Sequence, residues 1–95
     1  MSLKQLVSKY IASADHVLAT IEMVKDAAKP RADSIGKVVE SARAYLEDAK
    51  YFGEKEKFEV SLTSVAYCEG LLDALRLLGA VKFEWPSGAR VEQEK

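Results

Sequence analysis

The sequence contains few of the residues from which covalent and metal-bound sites are built. A single cysteine, Cys68, permits no internal disulfide and no cysteine-based zinc site. The one histidine, His16, cannot bind zinc well or form a nucleophile–base pair without a suitable neighbour. The chain also lacks a Gly-rich phosphate loop and the HExxH, CxxC and GxSxG motifs. These absences argue against the enzyme classes that the motifs mark, and we expect no catalytic residue, no metal and no cofactor.

Neither sign of charge dominates the sequence, and no apolar run is long. Lys and Arg number 14 and Asp and Glu number 15, which argues against a strongly basic nucleic-acid-binding protein. The apolar runs fall far short of the roughly 18 residues that a membrane span needs. The N-terminus has neither the apolar segment nor the cleavage site of a signal peptide. We therefore expect one small cytoplasmic domain without membrane contact.

Side-chain amides are scarce. The chain has no asparagine, and its glutamines are Gln5 and Gln93 alone, although lysine and glutamate are abundant. A charge-rich sequence with few thermolabile amides is typical of hyperthermophiles. The composition thus hints at a thermophilic source and carries no information about chemistry.

Proline is confined to Pro30 and Pro86, and the long proline-free stretch between them favours helices. Hydrophobic periodicity predicts three helices, over about residues 3–28, 31–52 and 56–79. Gly53 and Gly79 follow the second and third of these, as expected for glycines that end helices. Short connections make neighbouring helices antiparallel. The expected fold is an all-α, up-and-down three-helix bundle over residues 1–80, with an extended and partly disordered tail over 81–95.

The first helix carries an unbroken heptad pattern of apolar residues, which is typical of a helix that packs lengthwise on a neighbour. The pattern consists of Leu3, Val7, Tyr10, Ala14, Val17, Ile21, Val24 and Ala28. It predicts one continuous helix as far as residue 28.

The third helix is apolar over more than half of its circumference, so it is either the most buried helix or one whose outer side meets a partner. Cys68 falls toward its apolar side, where a free cysteine packs as a small hydrophobe. Ala66, Gly70 and Ala74 form a row of small residues along it. Because glycine inside a helix costs about 0.5–1 kcal/mol relative to alanine, this row predicts a close crossing by the first or second helix.

Two stretches of the second and third helices resemble a small archaeal family, the domain of unknown function numbered three-five-seven. The first is a tyrosine-x-x-aspartate-alanine-x-x-phenylalanine stretch, and the second is a tyrosine-x-x-glycine-x-x-aspartate stretch that ends near leucine-glycine. The matching residues are Tyr45, Asp48, Ala49 and Phe52 in the first stretch and Tyr67, Gly70, Asp73 and Gly79 in the second. The resemblance covers about residues 31–80 and implies an archaeal helical bundle. It implies no activity.

An acidic pair on the third helix is a weak candidate binding site. Glu69 and Asp73 are one turn apart, with Arg76 beside them, and Asp48 of the second helix could join them. Such a cluster could hold a metal ion or a basic small molecule. The ordinary alternative is a solvated helix face on which Arg76 already neutralises the carboxylates.

Two further surfaces complete the candidates. Basic residues cluster at the turn between the first two helices, and apolar residues of the third helix and the tail form a candidate interface. The basic set is Lys25, Lys29, Arg31 and Lys37, and the interface set is Leu62, Leu77, Phe83 and Trp85. We expect a protein-interaction or assembly module, self-associating because a chain this short gains buried area from a dimer interface. The alternatives are an accessory protein that binds nucleic acid through the basic turn, and a site at the acidic pair.

Overall fold

The computed structural model describes residues 1–24 and 29–86, and for residues 29 and 30 it gives the backbone alone. Within these residues three helices pack as an all-α bundle, which confirms the predicted fold class. A pair of two-residue strands closes one end of the bundle. The elements are α1 Leu3–Thr20, β1 Glu22–Met23, α2 Lys29–Glu54, α3 Phe58–Leu77 and β2 Val81–Lys82. The expected disorder beyond residue 86 lies outside the described residues.

The prediction of one helix as far as residue 28 is wrong, because α1 ends at Thr20. The Thr20 hydroxyl donates back to the His16 carbonyl at 3.0 Å, and Ile21 turns the chain into an extended conformation. The next residues then pair with the segment after α3: Met23 lies opposite Val81 in an antiparallel register. The continuing heptad pattern therefore spans a helix and a strand, and its last member lies outside the described residues.

The turns that follow α2 and α3 use the same hydrogen-bonded cap. After α3, Gly79 has a φ of 77°, and the N–H of Ala80 donates to Leu75 at 2.9 Å. This is a Schellman motif with glycine in the left-handed position, as predicted. After α2 the left-handed residue is Glu56, with a φ of 62°, and the N–H of Lys57 donates to Phe52 at 2.9 Å.

Gly53 therefore does not end α2, in contrast to the sequence-based expectation. It lies in the last turn of the helix, where α1 and α3 come close. A methyl group on Gly53 would lie 3.4 Å from the Ser61 hydroxyl oxygen and 3.8 Å from Ile11. These are ordinary van der Waals distances, so Gly53 lies at a packed position that a methyl group would also fit. The left-handed backbone conformation is adopted by Glu56 instead.

The core surrounds α3, which packs against both α1 and α2. Cys68 is fully buried in it, as predicted for a small hydrophobe. The buried apolar residues of α3 are Val65, Cys68, Leu72 and Leu75, which meet Ala14, Val17 and Leu18 of α1 and Ile35, Val39, Ala42, Leu46 and Ala49 of α2. None of the helices in the described residues is long and apolar enough to cross a bilayer.

One buried hydrogen bond fixes the position of α3 along α2. The Ser61 hydroxyl, which is fully buried, donates to the Ala49 carbonyl oxygen at 2.6 Å. We predict that Ser61→Ala lowers the free energy of unfolding by about 1–2 kcal/mol, because the hydrogen bond is lost and a small void remains. Urea denaturation measures this difference.

The matched control is Ser41→Ala, at an exposed position of α2. It should change stability by less than about 0.5 kcal/mol. Equal effects of the two substitutions would contradict the role given to the Ser61 hydroxyl.

Candidate functional site

The solvent-exposed side of α3 is the candidate functional surface. It is called here the outer face of α3 and consists of Val60, Thr63, Ala66, Tyr67, Gly70, Ala74, Leu77 and Leu78. Leu77 and Leu78 are 74% and 73% exposed, and Tyr67 and Val60 are 55% and 45% exposed. Large apolar side chains that are grouped on one surface mark sites of interaction more often than scattered ones do.

The small residues of α3 lie on this outer face, and so the predicted crossing by α1 or α2 is wrong. Ala66, Gly70 and Ala74 are all exposed. A methyl group added to Gly70 would meet no other atom within 4 Å. The physical reason is that α1 and α2 both pack on the opposite side, where larger residues such as Leu72 separate the helices. Within the described fold, nothing offsets the helix-destabilising effect of this glycine.

The outer face carries no charge along its length. Glu59 precedes it, and every exposed residue from Val60 to Leu78 is uncharged. The exposed side of α2 differs, because charged residues appear there at almost every turn. These are Arg31, Asp33, Lys37, Glu40, Arg43, Glu47, Asp48 and Glu54. A charged, mixed surface is the ordinary device that keeps a helix solvated, and α3 lacks it.

The outer face is also held in place from within. The Tyr67 ring stacks on Tyr45 of α2, with the ring centroids 4.3 Å apart and the planes 10° from parallel. Because the stack fixes the ring on one side, Tyr67 loses little side-chain freedom if its other side is covered. The rigid ring stands one turn before Gly70, so a projection and an open space adjoin on the same face.

The acidic candidates on α3 have separate structural roles. Asp73 holds the C-terminal segment: its Oδ1 accepts from Trp85 Nε1 at 2.9 Å and from Arg76 Nε at 3.2 Å. Phe83 meets Trp85 edge to face, with centroids 5.1 Å apart, and both rings pack against the core. Phe83 and Trp85 thus fold over the end of the bundle, and Asp73 anchors them.

Glu69 does not share a solvated face with Asp73, because it is 9% exposed. It stands one turn after Val65 and almost one turn before Leu72, both of which are fully buried. Asp48 is exposed on α2, and in the described part of the chain it does not join Glu69 and Asp73 in a group of three acidic side chains placed to hold a metal ion. The four residues predicted as one binding cluster are therefore not brought together as a unit.

Other possible ligand sites are open and mixed in charge. In residues 1–24 and 29–86, no group of three or more His, Cys, Asp or Glu side chains is placed to hold a metal ion. A groove of about 810 Å³ lies at the strand end of the bundle, and its lining includes His16, Arg76 and Glu84. Its opposite charges and open shape give it no preference for one class of small molecule.

The structure describes the remaining candidates in part. Arg31 and Lys37 are exposed on α2, whereas Lys25 and the side chain of Lys29 lie outside the described residues. Of the predicted interface residues, Leu62 and the two aromatic residues of the tail are partly buried against the core. Leu77 is the exposed one. Sequence reasoning included Leu77 and missed Val60, Tyr67 and Leu78, although their spacing along α3 was visible in the sequence.

The environment of Cys68 suppresses its reactivity. Burial raises the pKa of the thiol to about 12, and the neighbouring Glu69 carboxylate adds to the rise. Since the thiolate is the nucleophilic form, the folded protein has no reactive cysteine at neutral pH. The residue is a packing element of the core.

The anchoring role of Asp73 leads to a spectroscopic prediction. Trp85 is the single tryptophan of the chain, so its fluorescence reports the C-terminal segment alone. Asp73→Ala should shift the emission to longer wavelength and increase quenching by acrylamide, at a cost of about 1–2 kcal/mol in stability. The control, Asp48→Ala, removes an exposed carboxylate of α2 and should leave the spectrum unchanged. An unchanged spectrum in Asp73→Ala would contradict the anchor.

The raised pKa of Cys68 predicts slow labelling and a particular pH dependence. At pH 8 the folded chain holds roughly a thousandfold less thiolate than a thiol of pKa 9.0, so a disulfide reagent should react quickly only after unfolding. From pH 9 toward 12 the unfolded chain loses the thiol proton and the folded chain keeps it. Stability should therefore fall with rising pH more steeply than in Cys68→Ala. Rapid labelling of the folded protein would contradict this account.

Comparison with known proteins places the chain in a family. Residues 9–81 match the family described as "Protein of unknown function (DUF357)". The match covers the bundle from the first half of α1 to the start of β2 and agrees with the resemblance in α2 and α3. No curated protein and no solved structure matches the chain. The chain belongs to this family of proteins of unknown function.

Proposed function

We propose that this chain is a non-catalytic assembly module that binds a helix of a protein partner through the outer face of α3. The observation that carries the proposal is the grouping of large exposed apolar residues on a helix face without charge. Leu77 and Leu78, each about three-quarters exposed, lie together at one end of this face. Burying a leucine side chain gains about 1.5–3 kcal/mol, so the pair supplies a strong anchor for a partner.

The shape of the surface supports a helical partner. The outer face is straight, since it follows one helix for about 18 residues, or roughly 27 Å. Its middle is formed by alanine and glycine, which allow the backbone of another helix to approach closely. The only charged group at its border among the exposed residues of α3 is Glu59. Apolar contact and shape would therefore determine the choice of partner.

The two alternatives from the sequence lack a comparable observation. The described part of the basic turn amounts to the exposed Arg31 and Lys37. The acidic pair is divided between a buried Glu69 and an Asp73 that holds Trp85. The outer face of α3 remains the most distinctive surface of the described molecule.

Site-specific photo-cross-linking in the cells that make the protein tests this proposal. A photoreactive residue at position 77 should give one discrete protein adduct, because the side chain would lie in the contact. The same residue at position 40, exposed on α2, is the matched control and should give none. Adding Leu78→Glu to the position 77 variant should abolish the adduct, since a carboxylate would then be buried without a partner.

The proposal fails if position 77 gives no adduct, or gives the same adducts as position 40. It also fails if Leu78→Glu leaves the adduct unchanged. Leu78 is exposed and outside the core, so its replacement should leave the fold intact. Circular dichroism of the variant checks this.

A further inference from the structure

We infer that the partner is a second copy of this chain, and that the two α3 helices pair antiparallel through their outer faces. The two-fold axis would cross α3 at the level of the Cys68–Glu69 peptide. This inference rests on the proposed function, because it names the occupant of the same face. It follows from the order of large and small residues along α3 and from the distribution of charge.

The exposed residues of α3 form a second heptad row, on the opposite side from the core. Its members are Val60, Thr63, Tyr67, Gly70, Ala74 and Leu77, with spacings of 3, 4, 3, 4 and 3 residues. Alternating spacings of three and four residues keep a row facing a neighbouring helix over several turns. This sequence of spacings reads the same in both directions, so an antiparallel copy presents its residues in register.

Antiparallel pairing also matches residue sizes. It places Val60 of one copy opposite Leu77 of the other, and Thr63 opposite Ala74. In the centre it places Tyr67 opposite Gly70, twice, because the two-fold axis repeats each contact. The Tyr67 ring projects from a rigid stack, and the space over Gly70 is open to at least 4 Å. A large side chain thus meets a hole, as in knobs-into-holes packing.

The antiparallel pair explains why a glycine occupies position 70, which the single chain does not. Glycine destabilises a helix interior, and no neighbour within the bundle needs the space. In the pair, that space accommodates the tyrosine of the other copy. Tyr67 and Gly70 therefore act together as one complementary unit.

Charge favours a second copy and the antiparallel direction. A surface that meets itself across a two-fold axis brings each charge close to its own image, and like charges repel. The uncharged outer face avoids this repulsion. Parallel pairing would bring Glu59 beside its own image, whereas antiparallel pairing places Glu59 beside Leu78. Antiparallel helices also put opposite ends of the helix dipoles together.

Cysteine cross-linking with a short bis-maleimide tests the arrangement. Val60→Cys and Leu77→Cys are prepared as separate proteins, with the native Cys68 kept because it is buried. Mixing the two proteins should give a covalent dimer that joins position 60 to position 77. Each protein alone should give little, because in the antiparallel pair two identical positions lie about 26 Å apart, beyond the reach of the reagent. The unmodified chain, with Cys68 alone, is the control and should remain uncross-linked.

The Tyr67–Gly70 contact has its own test. Gly70→Leu should lower the yield of the mixed cross-link at least about tenfold, because the leucine fills the space that the tyrosine needs. At concentrations low enough for the chain to be monomeric, the same substitution should preserve or raise the thermal midpoint, since a β-carbon at this position meets no other atom within 4 Å and glycine is a poor helix former. The fold is thus monitored separately from the pairing.

The outcomes separate this inference from the proposed function. Cross-linking of Val60→Cys to itself would indicate parallel pairing and overturn the arrangement. No cross-link in any mixture would overturn the second copy as the partner. If position 77 then formed an adduct with a different protein in cells, the proposed interaction module would still be supported. An unchanged cross-link yield in Gly70→Leu would overturn the Tyr67–Gly70 contact.

Discussion

The packing of α3 against both other helices is the constraint on which the rest of the structure depends. The core of this short chain is built around one side of α3, where Val65, Cys68 and Leu72 are fully buried. With α1 and α2 both on that side, no helix of the described fold covers the other. A small domain buries a modest share of its surface on folding. An apolar face that stays exposed is therefore a large part of the surface available for association.

The packing of α3 also determines how the C-terminal segment closes the end of the bundle. Because α3 is central, the segment after it returns across the end of α1, and Val24 N–H donates to the Ala80 carbonyl at 3.0 Å. Asp73 then fixes the chain further along by accepting from Trp85. The C-terminal segment up to residue 86 is thus part of the bundle, and its aromatic residues serve the core. In the described residues, the outer face of α3 is then an apolar surface that no other helix covers.

The sequence predicted α2, α3 and the start of α1 well, because apolar spacing within a helix is governed by local geometry. The prediction failed where tertiary pairing decides. Ile21 and Val24 continue the heptad pattern, yet the chain between them forms the strand Glu22–Met23, since a partner strand is available after α3. The sequence-based prediction also placed Gly70 at a helix crossing and Glu69 on a solvated face, whereas Gly70 is exposed and Glu69 is buried. Small residues indicate close approach and carboxylates indicate solvent, but which side of α3 faces the core depends on where α1 and α2 pack. The turn at Glu56 was missed because a left-handed glutamate has no sequence signal.

The central claim is that the face left open by this packing is covered by a second copy in solution. The most direct measurement is the molar mass of the unmodified chain, by light scattering coupled to gel filtration over a series of concentrations. The account predicts a mass that approaches twice the 10.5 kDa of one chain as concentration rises. A mass that stays at one chain over the whole series would contradict it.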